Sequence, residues 1–198
     1  MKRLALSVAL ALLGTSAVAG PAPATAGTAQ KAPLPSDSVY QLKVKLSDQH
    51  GRKRAWSDQR GKPQLVSMFY TSCQYICPLI IDSGKAVQKQ FNDAERARLG
   101  ITLISMDPAR DTTAALARTA TQRKLDPTQW TLASPAASDV RAIAGVLNVR
   151  YRALADGEFN HTSALILLDA DGRILARTEK MGSKPDPEFV AAVRKALR

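Results

Sequence analysis

The chain has 198 residues, of which 45% are hydrophobic and 23% charged, so wholesale disorder and a fibrous repeat are both excluded. The length suits one domain and leaves little for a second. The formal net charge is +11, but the basic residues are scattered and no nucleic-acid-binding motif is present, so a solvated basic surface is favoured over nucleic-acid binding.

The first 19 residues have the pattern of a secretory signal peptide. Lys2 and Arg3 precede an apolar run at residues 4–13, and residues 17–19 fit the small-x-small cleavage pattern. The run is short for a bilayer span, so a retained membrane anchor is the weaker interpretation. We therefore expect an exported, periplasmic protein without a stable membrane anchor.

Residues 20–36 are rich in Pro, Ala, Gly and Thr and contain almost no large apolar side chain. This composition predicts a disordered leader, because such a segment cannot bury enough apolar surface to fold. The folded domain is accordingly expected to occupy residues 37–198.

Strand and helix patterns alternate through the predicted domain. Residues 40–46 alternate between apolar and polar and predict a half-buried strand, followed by a turn that contains His50. Further strands are predicted at residues 65–70, 101–106, 130–132, 164–168 and 173–178. Helices are predicted to open at Pro78, to run from an N-cap at Asp111 to about Leu125, to span residues 140–147, and to follow an N-cap at Asp186.

Repeated strand–helix units indicate an α/β fold with a mainly parallel central sheet and flanking helices. The segment Asp169-Ala170-Asp171-Gly172 is a hairpin signal between the last two strands. The C-terminal β-hairpin and helix would add an antiparallel edge. This arrangement suits a thioredoxin-like sandwich, although periodicity by itself supports only the α/β class.

Both cysteines lie in one short segment, Cys73-Gln74-Tyr75-Ile76-Cys77, between a buried strand and a predicted helix. Two cysteines are too few for a disulfide framework or a four-cysteine zinc site. The start of the helix would favour a thiolate at Cys77. Side chains four residues apart on a helix lie about 5–6 Å apart, so the pair could bind one ion or close a disulfide. A purely structural disulfide is unattractive, because closing so short a loop contributes only about 2 kcal/mol.

A thiophilic ion such as Cu(I) accepts few ligands and favours sulfur. His161 is the candidate third ligand, because it precedes a buried strand that could run beside the strand leading to the cysteines. From its position alone, His161 could equally be structural. His50 is interpreted as an exposed bystander, and Met68 and Met106 are interpreted as core residues.

Three sequence blocks resemble the Sco/SenC family. The first is Val66-Ser67-Met68-Phe69-Tyr70-Thr71-Ser72-Cys73-Gln74-Tyr75-Ile76-Cys77-Pro78, the second is Ser105-Met106-Asp107-Pro108-Ala109-Arg110-Asp111-Thr112, and the third begins His161-Thr162-Ser163-Ala164. They occur in the family's order, and the similarity covers about residues 37–197.

This resemblance implies a thioredoxin-like fold and a copper site, carrying Cu(I) or Cu(II), with Cys73, Cys77 and His161 as ligands. It also implies that the protein is a metallochaperone for the binuclear copper centre of cytochrome c oxidase. The protein would deliver copper to that centre or keep the thiols of that centre reduced. The implied partner is the copper-bearing subunit of the oxidase or another periplasmic copper donor or acceptor. Asp107 and Asp111 match the family pattern, but a turn and a helix cap explain them.

Two alternative functions use the same cysteines. A periplasmic thiol–disulfide oxidoreductase would attack a target disulfide with one of Cys73 and Cys77 and resolve the intermediate with the other. Against it, thioredoxin-type reductases carry C-x-x-C, whereas one more residue intervenes here. A peroxidase of the same fold is less favoured still. The motif typical of that class is T-x-x-C, whereas Thr71-Ser72-Cys73 is T-x-C.

Overall fold

The structure, a computed structural model, describes residues 32–73 and 75–198. The predicted signal peptide and most of the predicted leader lie outside the described residues, so both stay predictions. Near the end of the leader, Leu34 packs against the core, and the Gln41 side-chain amide donates to the carbonyls of Leu34 and Pro35 at 3.1 and 3.2 Å. The described residues from Pro33 onward form one compact unit.

A mixed seven-stranded sheet lies at the centre of this unit, in the order β2-β1-β5-β4-β3-β8-β9. A separate two-stranded sheet pairs β6 with β7. The strands are β1 Lys45–Asp48, β2 Lys53–Ala55, β3 Gln64–Phe69, β4 Gly100–Ser105, β5 Trp130–Pro135, β6 Tyr151–Ala153, β7 Phe159–His161, β8 Leu165–Leu168 and β9 Ile174–Thr178. The α-helices are α1 Ile76–Gln88, α2 Asp93–Ala97, α3 Thr113–Gln122, α4 Val140–Val146 and α5 Pro187–Ala196. The α/β class is confirmed.

The three central strands β3, β4 and β5 are parallel to one another, and the sheet is extended by antiparallel pairs on both sides. The parallel part is therefore narrower than the sequence suggested. Every residue of β3 and β4 is buried, as expected for strands covered on both faces. Each fully buried Leu or Ile in such strands contributes about 1.5–3 kcal/mol through removal of apolar surface from water.

Several predicted boundaries were wrong. Val39–Gln41 forms a 3-10 helix in which Tyr40 packs edge-on against Trp56, so the first strand begins only at Lys45. Helix α1 begins at Ile76, two residues before Pro78. A helix tolerates proline in its first turn, because N–H groups there have no helical acceptor. Other predictions are confirmed, including Asp186 as the N-cap of α5, with Pro187 as its first residue.

Among the strands and α-helices of the described residues, four short ones escaped prediction: β2, α2, β6 and β7. Each has only three to five residues, too few for a periodic pattern to emerge. Within residues 32–73 and 75–198, no helix is long and apolar enough to span a bilayer.

The sheet topology brings the end of β3 and the start of β8 to one edge. The two strands are antiparallel neighbours, with Val66 opposite Ile166 and Gln64 opposite Leu168. The loop that follows β3 carries Cys73, and the segment before β8 carries His161. The predicted proximity of these two strands is confirmed.

Candidate metal centre

The two cysteines lie where the chain leaves β3 and enters α1. Cys73 is in the connecting loop and Cys77 is the second residue of the helix; both are reduced and buried, with 8% and 3% of their surfaces exposed. The backbone N–H of Cys77 points at the Cys73 sulfur at 3.4 Å, and the N–H of Tyr70 points at the Cys77 sulfur at 3.5 Å. The Cys73 sulfur therefore accepts an N–H that the start of helix α1 leaves without a helical partner.

The negative charge belongs on Cys73 rather than on Cys77. The Cys77 thiol donates to the Cys73 sulfur, and this bond, with the backbone N–H groups of Cys77 and Tyr75, lowers the pKa of Cys73 to about 4. The same bond, followed by burial, raises the pKa of Cys77. The sequence-based expectation of a thiolate at Cys77 was therefore wrong, because the sulfur facing the N–H groups of the helix start is that of Cys73.

His161 is the last residue of β7, where it pairs with Tyr151 of β6. Its Nδ1 lies 3.1 Å from the carbonyl oxygen of Thr162, which can only accept, so Nδ1 carries the proton of the neutral ring. Its Nε2 is buried and has no hydrogen-bond partner among residues 32–73 and 75–198. The imidazole thus holds a buried lone pair, which is what a metal ligand requires.

Tyr70 contacts Cys77 and also the β6–β7 hairpin, which carries His161. Its backbone N–H reaches Cys77, and its ring packs edge-on against His161, with ring centroids 5.9 Å apart. Its hydroxyl donates to Glu158 at 2.8 Å, and the Phe159 N–H points at that hydroxyl at 3.4 Å. Burial and the bond to Glu158 raise the pKa of Tyr70, so the phenol remains a neutral donor.

The structure brings Cys73 and Cys77 together and places His161 at the same edge of the sheet. It does not assemble the three into a complete ligand set: in the described part of the chain, no group of three or more His, Cys, Asp or Glu side chains is close enough to hold a metal ion.

A pocket of about 210 Å³ opens beside the sulfurs. Cys73 and Cys77 form one wall of this pocket, and the end of α3 contributes Thr119, Gln122 and Arg123. A small reagent or ion can therefore reach the thiols although both are buried.

The two acidic residues of the second sequence block have different roles. Asp107 forms a turn, because its carbonyl accepts the N–H groups of Arg110 and Asp111 at 3.1 and 2.9 Å, as predicted. The prediction for Asp111 was wrong: Thr112 caps α3, and the Asp111 side chain turns inward to Thr71 and Ser105. Burial raises the pKa of the Asp111 carboxyl.

The assignments of His50, Met68 and Met106 are confirmed. His50 is exposed in its turn, and Met68 and Met106 are core residues with 1% and 3% exposure. Sequence reasoning missed Tyr70 and Glu158. Tyr70 was interpreted only as part of a buried strand, and nothing in the local sequence marks Glu158, because its partner lies 88 positions away.

Comparisons with known proteins bear on the fold and the family of the chain. A comparison with curated proteins gave no match. Among solved structures, copper-bound ScoI of Bradyrhizobium japonicum is 24% identical, with a TM-score of 0.65 and coverage of 77% of this chain and 96% of that one. Copper-bound yeast Sco1 is 19% identical, with a TM-score of 0.63 and coverage of 77% and 84%.

BsSco, described as a member of the Sco family of cytochrome c oxidase assembly proteins with a disulfide switch, is 21% identical, with a TM-score of 0.66 and coverage of 79% and 92%. These likenesses confirm the thioredoxin-like fold. The family model described as SCO1/SenC matches residues 35–198. That match spans nearly the whole described domain, and the chain therefore belongs to the SCO1/SenC family.

Proposed function

We propose that this protein is an exported copper chaperone that binds its cargo with Cys73, Cys77 and His161. The observation that carries the proposal is the buried Nε2 of His161, which has no partner in the described structure and lies at the sheet edge that holds two reduced thiols. Two sulfurs and one imidazole are a donor set that suits Cu(I). Copper bound by similar family members supports the same cargo here.

Loading of the site follows from the state of each ligand. Cys73 offers a thiolate at neutral pH, whereas Cys77 has to lose its proton as copper binds, so loading releases a proton. His161 is already held in the tautomer that leaves Nε2 available. The thiols have to be reduced before copper can bind, so the redox state controls loading.

We propose that the acceptor is the copper-bearing subunit of cytochrome c oxidase or another periplasmic copper protein. The description of BsSco as a member of a family of oxidase assembly proteins supports this choice. Copper would pass to the acceptor by exchange of the three ligands, or the same dithiol would keep the acceptor's cysteines reduced. The periplasmic location rests on the signal-peptide pattern of residues 1–19.

A second candidate function, thiol–disulfide exchange, is favoured by one observation. The Cys73 thiolate lies beside the Cys77 thiol, which is the pairing that an attacking and a resolving cysteine require. In this scheme the Cys73 thiolate attacks one sulfur of a target disulfide and releases the other as a thiolate. Cys77 then displaces the target, leaving a Cys73–Cys77 disulfide and a reduced target.

Substitution of His161 by Ala separates the two functions. We expect His161→Ala to weaken copper retention by more than the roughly 10- to 100-fold typical of losing an outer-sphere partner, because a direct ligand is removed. We expect the rate of disulfide exchange to remain within about twofold, since the dithiol keeps its own hydrogen bonds. Copper retention is measured against a Cu(I) chelator, and exchange against a model disulfide.

His50→Ala is the matched control, because His50 is the other histidine of the chain and is exposed in a turn. It should change neither quantity. If His161→Ala retains copper as the wild type does and instead loses exchange activity, the chaperone proposal fails and the oxidoreductase takes its place.

A further inference from the structure

We infer that Arg110 and Asp111 are positioning residues that hold the two halves of the proposed copper site in place. Asp111 holds the cysteine loop, which is the loop between β3 and α1 that carries Cys73. Arg110 holds the β6–β7 hairpin, which carries His161. The inference rests on the proposed copper-binding function. The two residues are adjacent in sequence, and their side chains contact opposite halves of the proposed site.

Asp111 anchors the start of the cysteine loop from beneath. Its carboxylate accepts the backbone N–H of Thr71 at 3.0 and 3.2 Å and the Thr71 hydroxyl at 2.5 Å. It also accepts the hydroxyl of Ser105, at the end of β4, at 2.5 Å. Asp111 is only 1% exposed, so these hydrogen bonds are shielded from water. If one of them is removed, water cannot take its place. Thr71 lies two residues before Cys73, and its position therefore sets where the loop begins.

Arg110 anchors the hairpin instead. Its guanidinium donates to the carbonyl oxygen of Gly157, in the turn between β6 and β7, and its Nε donates to the Asp107 carboxylate. Gly157 has a φ of +82°, and a Cβ built there would lie 3.4 Å from the guanidinium. The turn thus combines a backbone conformation that favours glycine with a close approach of Arg110.

The two anchors are connected through Ser105. Its hydroxyl donates to Asp111 and accepts the backbone N–H of Asp107 at 2.9 Å, and Asp107 in turn fixes Arg110. Ser105 and Asp107 are 0% and 7% exposed, so the segment of residues 105–111 is held by buried bonds. One short segment therefore contacts both halves of the proposed site. The Tyr70 side chain also contacts the hairpin, through its bonds with Glu158 and the Phe159 N–H and its ring contact with His161.

The test uses Arg110→Gln, with Arg141→Gln on the exposed surface of α4 as the matched control. Arg110 is a suitable target because its side chain is 42% exposed, and its loss leaves the core intact. In the metal-free protein we expect amide hydrogen exchange of residues 151–161 to rise about tenfold, with exchange in the β3 strand unchanged. Copper retention should fall about 10- to 100-fold with the stoichiometry still one copper, and X-ray absorption should show weaker imidazole scattering.

Arg110→Lys gives a second readout. Lysine keeps the charge but cannot bond Asp107 and the Gly157 carbonyl through one planar group, so it should restore copper retention only in part. Asp111→Asn should raise hydrogen exchange at Thr71 and Cys73 rather than in the hairpin. These two patterns distinguish positioning of each half from a general loss of stability.

Unchanged hydrogen exchange at residues 151–161 in Arg110→Gln would overturn the inference. So would a copper affinity equal to that of the wild type in a variant whose hairpin exchanges faster. A wild-type protein that retains no copper would refute the proposed function and this inference with it. That result is distinct from the two results for Arg110→Gln, because it is obtained before any substitution is made.

Discussion

Iodoacetamide is expected to alkylate Cys73 of the reduced, metal-free protein with a pH profile centred near 4, while Cys77 remains unmodified through neutral pH. The hydrogen bond from the Cys77 thiol, with the N–H groups of Cys77 and Tyr75, lowers the pKa of Cys73 from 9.0 to about 4. A lowered pKa means that the thiolate is populated above pH 4 and is lost as the pH falls through that value. Cys77, whose pKa is raised by the same bond and by burial, stays a thiol.

The pH profile is the diagnostic quantity, because a thiolate of low pKa is also a weaker nucleophile and its absolute rate can be ordinary. The rates are measured by mass spectrometry of each cysteine-containing peptide. Cys77→Ala is the control: without the donating thiol, the midpoint for Cys73 should move up toward the roughly 8.5 of a free cysteine. A wild-type midpoint near 8.5, or preferential alkylation of Cys77, would contradict the assignment of the charge.

Substitution of Gly172 by Ala is expected to reduce the free energy of unfolding by about 2–4 kcal/mol, the combined cost of a left-handed backbone and an overpacked contact. Gly172 has a φ of +84°, and a Cβ there would lie 2.5 Å from a ring carbon of Tyr40 and 2.8 Å from the Ser38 hydroxyl oxygen. Its carbonyl also accepts the N–H of Val39 at 2.9 Å. For a domain of this size, the melting temperature should fall by about 5–15 °C.

Gly51→Ala separates the two causes. Gly51 has a φ of +77°, close to that of Gly172, but the nearest atom to a Cβ there would be the Thr113 Cγ2 at 3.8 Å, an ordinary van der Waals distance, so only the backbone cost applies. Its melting temperature should therefore fall less than that of Gly172→Ala. Equal shifts for the two variants in a thermal unfolding experiment would show that the contact with Tyr40 costs nothing.

The central part of the fold could be predicted because its signals are local. The continuous apolar runs of β3 and β4 and the capping of α5 by Asp186 are each visible within a few residues. The hairpin turn that ends at Gly172 was visible for the same reason. What the sequence did not show is why that glycine is needed, because its steric partner, Tyr40, lies in an element that had been predicted as a strand.

The candidate site was only partly predictable. Cys73, Cys77 and His161 were predicted as ligands from their residue types and from the family pattern, and that assignment stays a prediction. The contacts that organise them join residues far apart in sequence: Asp111 reaches Thr71 across 40 positions, and Arg110 reaches Gly157 across 47. The location of the thiolate depends on which sulfur faces the start of α1, and residue spacing does not determine that orientation.

The most direct test of the copper-chaperone proposal is X-ray absorption spectroscopy of the reduced protein loaded with copper and washed with a competing chelator. The proposal predicts one copper per chain, with two sulfur neighbours from Cys73 and Cys77 and imidazole scattering from His161. Retention of no copper, with Cys73 and Cys77 readily forming a disulfide, would contradict it and assign the two cysteines to thiol–disulfide exchange instead.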